Sequence, residues 1–434
     1  MDSKQLPQNF QGFSSESAYL LNDNELTLKR SRKEASKKRK FCVLVACVIQ
    51  LVVCGGTGYG LSVMYAEIII VFNTERADAA LIQSFNMGMA AASGIMFTWM
   101  IKKFGPGVCI TIGASVSAIG LFASAFADNL VTITVCTGVI TGTAMGICQL
   151  CAYLTVTWTF HHNPGLFLVI LTFGMSFGQL IGPNMYELFI SNYAWSGAFI
   201  LLAAVSLQLI PFGLVIHLSR YYFVRTSDMS IQEKQRSCCD ISLFIDVVIW
   251  VLWINFLLLA LTGNVEPWFI VDHMISLGFS RKDGAFTSSA IGIGNFIGKL
   301  IGAFIKFRCR QVATVYHWIY LGVLMAGLHM IIISLDQLIA LFLFCLLFGC
   351  IFGLIFSQAP VVMFEASGLD RYPQACAMMN VMFGIGDVFG PLLGGYIKDI
   401  TGVYNIAFFI ASGASVYISV SSVCGVYYSR KRHM

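Results

Sequence analysis

A chain of 434 residues with 57% hydrophobic and only 11% charged residues has too few charges to cover soluble domains, so its main solvent is a lipid bilayer. The formal net charge of +5 resides on basic residues that flank apolar runs, which excludes a nucleic-acid footprint. The fourteen cysteines are scattered, mostly within those runs, with neither the paired spacing of a disulfide framework nor a metal-ligand pattern, so no metal or cofactor is expected.

Residues 1–40 are polar and contain Lys29-Arg30-Ser31-Arg32-Lys33 and Lys37-Lys38-Arg39-Lys40. They read as a disordered tail closing on a membrane-proximal basic cluster that serves as a topological anchor. The first apolar run starts at Phe41 and continues for longer than the core of a signal peptide, so the N-terminus is expected to stay attached. Between Phe41 and Tyr427 the apolar runs reach the length that crosses a hydrocarbon core, and in lipid such runs must be helical. Twelve spans are expected, at 41–71, 80–101, 107–127, 131–157, 166–190, 197–217, 243–275, 285–306, 315–334, 338–363, 374–397 and 404–427.

The positive-inside rule places both ends on the cytoplasmic side. Lys102, Lys103, Arg220, Arg225, Lys234, Arg236, Lys306, Arg308, Arg310, Arg371 and Arg430-Lys431-Arg432 then lie inside, against Arg76, Arg281, Lys282 and Lys398 outside. Residues 218–242 become a cytoplasmic linker between an N-terminal six-helix bundle (41–217) and a C-terminal one (243–427), with a short tail at 428–434. The adjacent Cys238 and Cys239 in that linker are weak candidates for palmitoylation.

The two halves echo one another. Gly178-x3-Gly182-Pro183 followed by Trp195-x2-Ala198-Phe199 parallels Gly386-x3-Gly390-Pro391 followed by Tyr404-x2-Ala407-Phe408. A repeat of this kind in a twelve-span chain resembles the major facilitator superfamily, an all-α membrane fold of two six-helix pseudo-repeat bundles around a cavity that opens alternately to each side.

A narrower resemblance follows from Pro360, Glu365, Gly368, Gly384, Gly390-Pro391, Gly395, Asp399, Thr401-Gly402-x-Tyr404 and Phe408, and from Asp272-x5-Gly278 with Ser289-x-Ile291-Gly292-Ile293-Gly294-Asn295-x2-Gly298-Lys299. These runs are similar to spans ten to twelve, and seven to eight, of the monocarboxylate transporter family (solute carrier family 16). The resemblance implies a plasma-membrane secondary transporter of small organic anions or zwitterions, in some members coupled to protons, and in some accompanied by a single-span ancillary glycoprotein. The N-terminal half departs from the family pattern. Lys38-Arg39-Lys40-Phe41 replaces an acidic glycine-rich motif, and Cys54-Gly55-Gly56-Thr57-Gly58-Tyr59-Gly60 lacks the first-span lysine of lactate-type members. The eighth-span Asp and Arg of those members correspond to Asn295 and Lys299 here.

Ionised side chains within a span are costly and therefore functional candidates. Lys299 offers an ammonium to a substrate carboxylate, with less directional grip than an arginine fork, or it snorkels to the inner interface. Asp387, near the middle of the eleventh span and at a depth comparable to Asn295, is a proton-coupling candidate, since burial penalises its charged form. It is also a candidate partner of Lys299. Asn264 and Glu266-Pro267 interrupt the seventh span, where Glu266 either contacts ligand or caps a helix near the outer surface. Tyr59 and Tyr153 complete the candidate substrate-binding set. His329 in the ninth span reads as packing.

Gly292-x-Gly294-x3-Gly298 superficially resembles a dinucleotide loop, but it lies inside an apolar run without a preceding strand and reads as helix packing. Gly182-Pro183 and Gly390-Pro391 read as hinge or packing points, and Lys102-Lys103-Phe104-Gly105 as a gating loop at the inner face. The sequence contains no His-Glu-x2-His and no Gly-x-Ser-x-Gly elbow, so nothing positive supports an enzyme. Three readings remain open: a monocarboxylate carrier, a carrier of amino acids or other zwitterionic or aromatic solutes, and a non-transporting sensor with the same fold.

Overall fold

The computed structural model describes residues 37–160, 164–220, 242–308 and 314–433. The first basic cluster, Cys238-Cys239 and most of the expected linker lie outside the described residues.

Among the described residues, twelve helical crossings succeed one another. In the first half they are α1 (Lys37–Phe72), α2 (Arg76–Met96 continued by Thr98–Phe104), α3 (Pro106–Ser124), α4 (Leu130–Thr159), α5 (164–193) and α6 (195–218). The second half has α7 (Val247–Ser276), α8 (Arg281–Arg308), α9 (Val315–Ser334), α10 (Leu338–Ser367), α11 (375–401) and α12 (Asn405–His433). Among the described residues, nine stretches are long and apolar enough to cross a membrane, one of which contains both α5 and α6. The remaining two crossings, α2 and α11, pack against one another between the halves.

The helical run Leu338–Thr401 is two crossings rather than one rod, and its contacts run out and back. Phe342 stacks on Phe286 at the start of α8, and the Glu365 carboxylate accepts from the Thr314 amide and hydroxyl at the start of α9. The Ala375 carbonyl then accepts from the Trp253 indole near the start of α7. Asp399 returns to the start of α2. The face holding Lys37 and the end of α12 is the terminal face; the face reached by the α1–α2, α7–α8 and α11–α12 connections is the distal face.

The repeat extends to the backbone. The turn between α5 and α6 falls on Ala194 with φ 56°, and the turn between α11 and α12 falls on Gly402 with φ 74°. Each lies the same number of residues beyond its Gly-Pro pair. Both turns use a positive φ, where glycine is the easier residue, so Ala194 bears backbone strain that Gly402 avoids.

Helix packing relies on small residues, as expected where lipid supplies no hydrophobic drive between helices. Gly349 lies on the Ile291 backbone and Gly353 on Asn295, joining α10 to α8; Gly294 and Gly298 answer from α8 against Cys350. This accounts for the glycine run of α8. A Cβ at Gly182 would stand 2.5 Å from the Gly56 carbonyl oxygen, and one at Gly390 2.8 Å from that of Leu261. Both Gly-Pro pairs therefore include a tight packing point. Large apolar side chains such as Ile119, Phe126, Val131, Ile339 and Val420 remain exposed and form the surface suited to lipid.

Candidate functional site

Two layers of polar residues join the halves, one at the distal face and one near the middle of the membrane. At the distal face the Arg76 guanidinium donates to Asp272 Oδ2 at 2.9 Å, and the Tyr404 hydroxyl donates to the same oxygen at 2.6 Å. The Tyr65 and Tyr404 hydroxyls lie 3.4 Å apart. The Asp399 carboxylate accepts from the backbone amides of Arg76 and Ala77 at 3.0 and 2.8 Å. Beside this cluster, Arg281 of α8 holds Glu187 of α5 at 2.5 Å and also contacts Glu67 of α1. Every one of these contacts crosses from one half to the other except Tyr404–Asp272. Charge-assisted bonds of this kind are about twice as strong as neutral ones, so together they seal the distal face.

The second layer lies between α5 and α8. Asn295 and Lys299, one helical turn apart, face Thr172, Ser176 and Gln179, which share one side of α5. Lys299 Nζ donates to the Thr172 carbonyl at 3.3 Å and to Ser176 Oγ at 3.0 Å. Ser176 donates onward to Asn295 Oδ1 at 3.3 Å, and Asn295 Nδ2 donates to Gln179 Oε1 at 2.8 Å. Lys299 is 8% exposed and Asn295 4%, so Lys299 is inserted between the halves instead of snorkelling to an interface. Its partners among the described residues are a carbonyl and a hydroxyl, both neutral. Its charge therefore faces no carboxylate among the described contacts.

Asp387 lies apart from Lys299, on α11 opposite the break in α7. The break is at Asn264, which ends Val247–Gly263 and begins Val265–Ser276; Pro267 cannot donate a backbone hydrogen bond there. Asn264 Nδ2 donates to Asp387 Oδ1 at 3.2 Å. Asp387 is half-buried, and Tyr59 of α1 lies near it and near Tyr153 of α4. Tyr59, Tyr153, Asn264 and Asp387 thus gather on one side of the centre. The expected Asp387–Lys299 pair is not formed: each charge has a different, uncharged partner.

Glu266 is placed differently from either expectation. It is fully buried, with Oε1 2.5 Å from His329 Nδ1 on α9, because the first turn after the break points it into the C-terminal bundle and away from the other half. It neither lines the midplane layer nor caps the helix at the surface. His329, expected to pack, is buried and bonded to this carboxylate.

Among the expected gating residues, Lys103 is exposed at the end of α2, with its ammonium 5.4 Å from the Phe104 ring. The Lys102 side chain lies outside the described residues. Pro183 lies inside α5 and Pro391 inside α11.

A family model described as Major Facilitator Superfamily matches residues 46–391. The chain belongs to the Major Facilitator Superfamily. Among curated proteins it is similar to monocarboxylate transporter 13 of Rattus norvegicus, 20% identical over 87% of this chain and 88% of that protein. Monocarboxylate transporter 6 of Mus musculus is 21% identical over 94% and 91%, and monocarboxylate transporter 12 of Homo sapiens 24% identical over 83% and 75%. Among solved structures, a D-xylose-proton symporter aligns with TM-score 0.70 at 14% identity over 88% of this chain and 97% of its own. The nucleoside transporter NupG aligns with TM-score 0.69 at 15% identity over 89% and 99%. These structures share the fold, and the superfamily makes the chain a multi-pass membrane transporter rather than an enzyme.

The residues that sequence reasoning assigned no role are those of the distal seal: Tyr65, Glu67, Arg76, Glu187, Arg281, Asp272, Asp399 and Tyr404. A signal existed. Asp272, Asp399 and Tyr404 belong to the motifs that carried the family resemblance, and Arg76 and Arg281 are two of the few basic residues on the distal face.

Proposed function

We propose that this transporter carries small monocarboxylates across the plasma membrane by alternating access, with Lys299 as the carboxylate anchor and Asp387 as the proton-coupling acid. The observation that supports it most directly is the buried ammonium of Lys299, held only by neutral oxygens in the contacts described. Ser176 and Asn295 keep it in place, and an incoming carboxylate would replace weak neutral acceptors with a charge-assisted bond. Similarity to several monocarboxylate transporters agrees with this chemistry.

The terminal face is taken as cytoplasmic, in line with its basic residues. The distal seal then makes the present state closed to the outside, and substrate would leave toward the cytoplasm past Tyr59 and Tyr153. Asp387, half-buried and supported by one amide donor, would take up a proton when outward access is restored.

The test is uptake into proteoliposomes with lactate, pyruvate, ketone bodies and aromatic amino acids, with and without a pH gradient. Accumulation of monocarboxylates that rises with the inward proton gradient, and is lost at least tenfold in Lys299→Ala, is expected. Unchanged kinetics in Lys299→Ala would remove the anchor. Uptake restricted to amino acids would instead assign Asp387 to a substrate ammonium.

A further inference from the structure

We infer that Glu266 and His329 form a proton-binding site inside the C-terminal bundle, separate from Asp387 and off the substrate path. The inference rests on the transporter reading above for its coupling role, though not for the binding of the proton itself.

The geometry is specific. Both side chains are fully buried, and Oε1 and Nδ1 stand 2.5 Å apart. Glu266 lies in the first turn of Val265–Ser276, where the helix N-terminus favours a carboxylate, and His329 lies in the last turn of Val315–Ile331, where the C-terminus favours an imidazolium. The two helix ends therefore support a pair that shares one proton between acid and base. The outer atoms of the pair, Glu266 Oε2 and His329 Nε2, face no hydrogen-bond partner among the described residues.

The surroundings define what the pair responds to. From α10, the Cys345 thiol lies within reach of the Glu266 charge, and the Phe348 ring packs 5.8 Å from the His329 ring. From α12, Ser412 and Ser419 bond to α9 carbonyls and do not titrate. From α11, Asp387 is bonded to Asn264, two residues before Glu266 in the same broken segment. Losing the shared proton would strand a carboxylate in an apolar core, so release must await water or a rearrangement of the α7 break. Protonation of Asp387 would weaken its hold on Asn264 and move that break, which links the two acids without a direct contact.

The deciding experiment is infrared difference spectroscopy of the purified full-length carrier in lipid nanodiscs across a pH jump, which reads protonated carboxyl, carboxylate and imidazole bands without any substrate. Two separable carboxyl signals are expected, one lost in Glu266→Gln and the other in Asp387→Asn, with an imidazole signal lost in His329→Gln. If Glu266→Gln does not fold, His329→Gln must still shift the Glu266 signal. In proteoliposomes, both Glu266→Gln and His329→Gln should reduce gradient-driven accumulation at least tenfold while leaving solute exchange at equilibrium within about twofold. A spectrum unchanged by Glu266→Gln, or by His329→Gln where the former does not fold, would overturn the site. So would an equal loss of accumulation and exchange, which marks a purely structural pair. If no monocarboxylate is carried by the wild-type protein, the substrate reading fails while the spectra still decide this one.

Discussion

Asp399 meets Arg76 through the backbone, not through the guanidinium: its carboxylate accepts from the Arg76 amide at 3.0 Å while the guanidinium turns to Asp272 at 2.9 Å. Glu75, in the N-cap position of α2, makes no side-chain cap bond. The first turn of α2 is therefore capped by a residue of the other half, where a carboxylate is favoured by the free amides and by the helix dipole.

Removing that cap should release the distal face. Asp399→Ala deletes two charge-assisted bonds, worth roughly 1.5–3 kcal/mol each before screening. A shift of at least tenfold toward the distal-open state is expected. It can be read as faster labelling, by a membrane-impermeant thiol reagent, of a cysteine placed at Ile68, which is buried in the sealed state. Unchanged labelling would dissociate the cap from gating.

The Arg281 clamp predicts an asymmetry. Glu187→Gln leaves Arg281 with Glu67, whereas Arg281→Gln leaves two carboxylates facing each other without a cation. Arg281→Gln should open the distal face more than Glu187→Gln or Glu67→Gln, and adding either carboxylate neutralisation to it should restore part of the closed population. The same labelling assay compares all five variants.

Packing between α8 and α10 should be the least tolerant of added volume. A Cβ at Gly353 would stand 2.8 Å from Asn295 Cα and from Asn295 Oδ1. Gly353→Val should destabilise by about 1–3 kcal/mol, the usual cost of overpacking, and should also disturb the bond from Asn295 to Gln179. Thermal unfolding in detergent reads the first effect. A raised substrate KM with folded protein reads the second.

Substituting Asn264 should act through Asp387. Asn264→Ala removes the amide donor from its carboxylate, which raises the free energy of the charged acid relative to the protonated one. The pH profile of uptake should therefore move to higher pH relative to wild type. A profile that stays in place would detach Asn264 from the proton-coupling step.

The sequence made the crossings legible because lipid imposes one rule, apolar length, on every span; α9 begins and ends where that rule puts it. The repeat was legible because Gly-Pro pairs punctuate corresponding helices, and the backbone extends it to Ala194 and Gly402. Charge pairing between halves was not legible. Nothing in periodicity says that Arg76 meets Asp272 or that Arg281 meets Glu67, since those partners lie in different bundles. The partner of Glu266 was not legible for a related reason: a broken helix resets the rotational phase, so the residue after the break points where the preceding helix cannot indicate. Lys299 was identified as a candidate by its charge inside a span, but its bond to α5 required the fold.

The side chain of Arg76 is 30% exposed while its guanidinium grips a nearly buried Asp272, and charges in contact with water are screened by ions. The lifetime of the closed state is therefore open to the medium on the distal side: raised ionic strength there should shorten it and hasten turnover wherever reopening limits the cycle. The midplane bonds of Lys299, shielded from that medium, would hold their strength throughout.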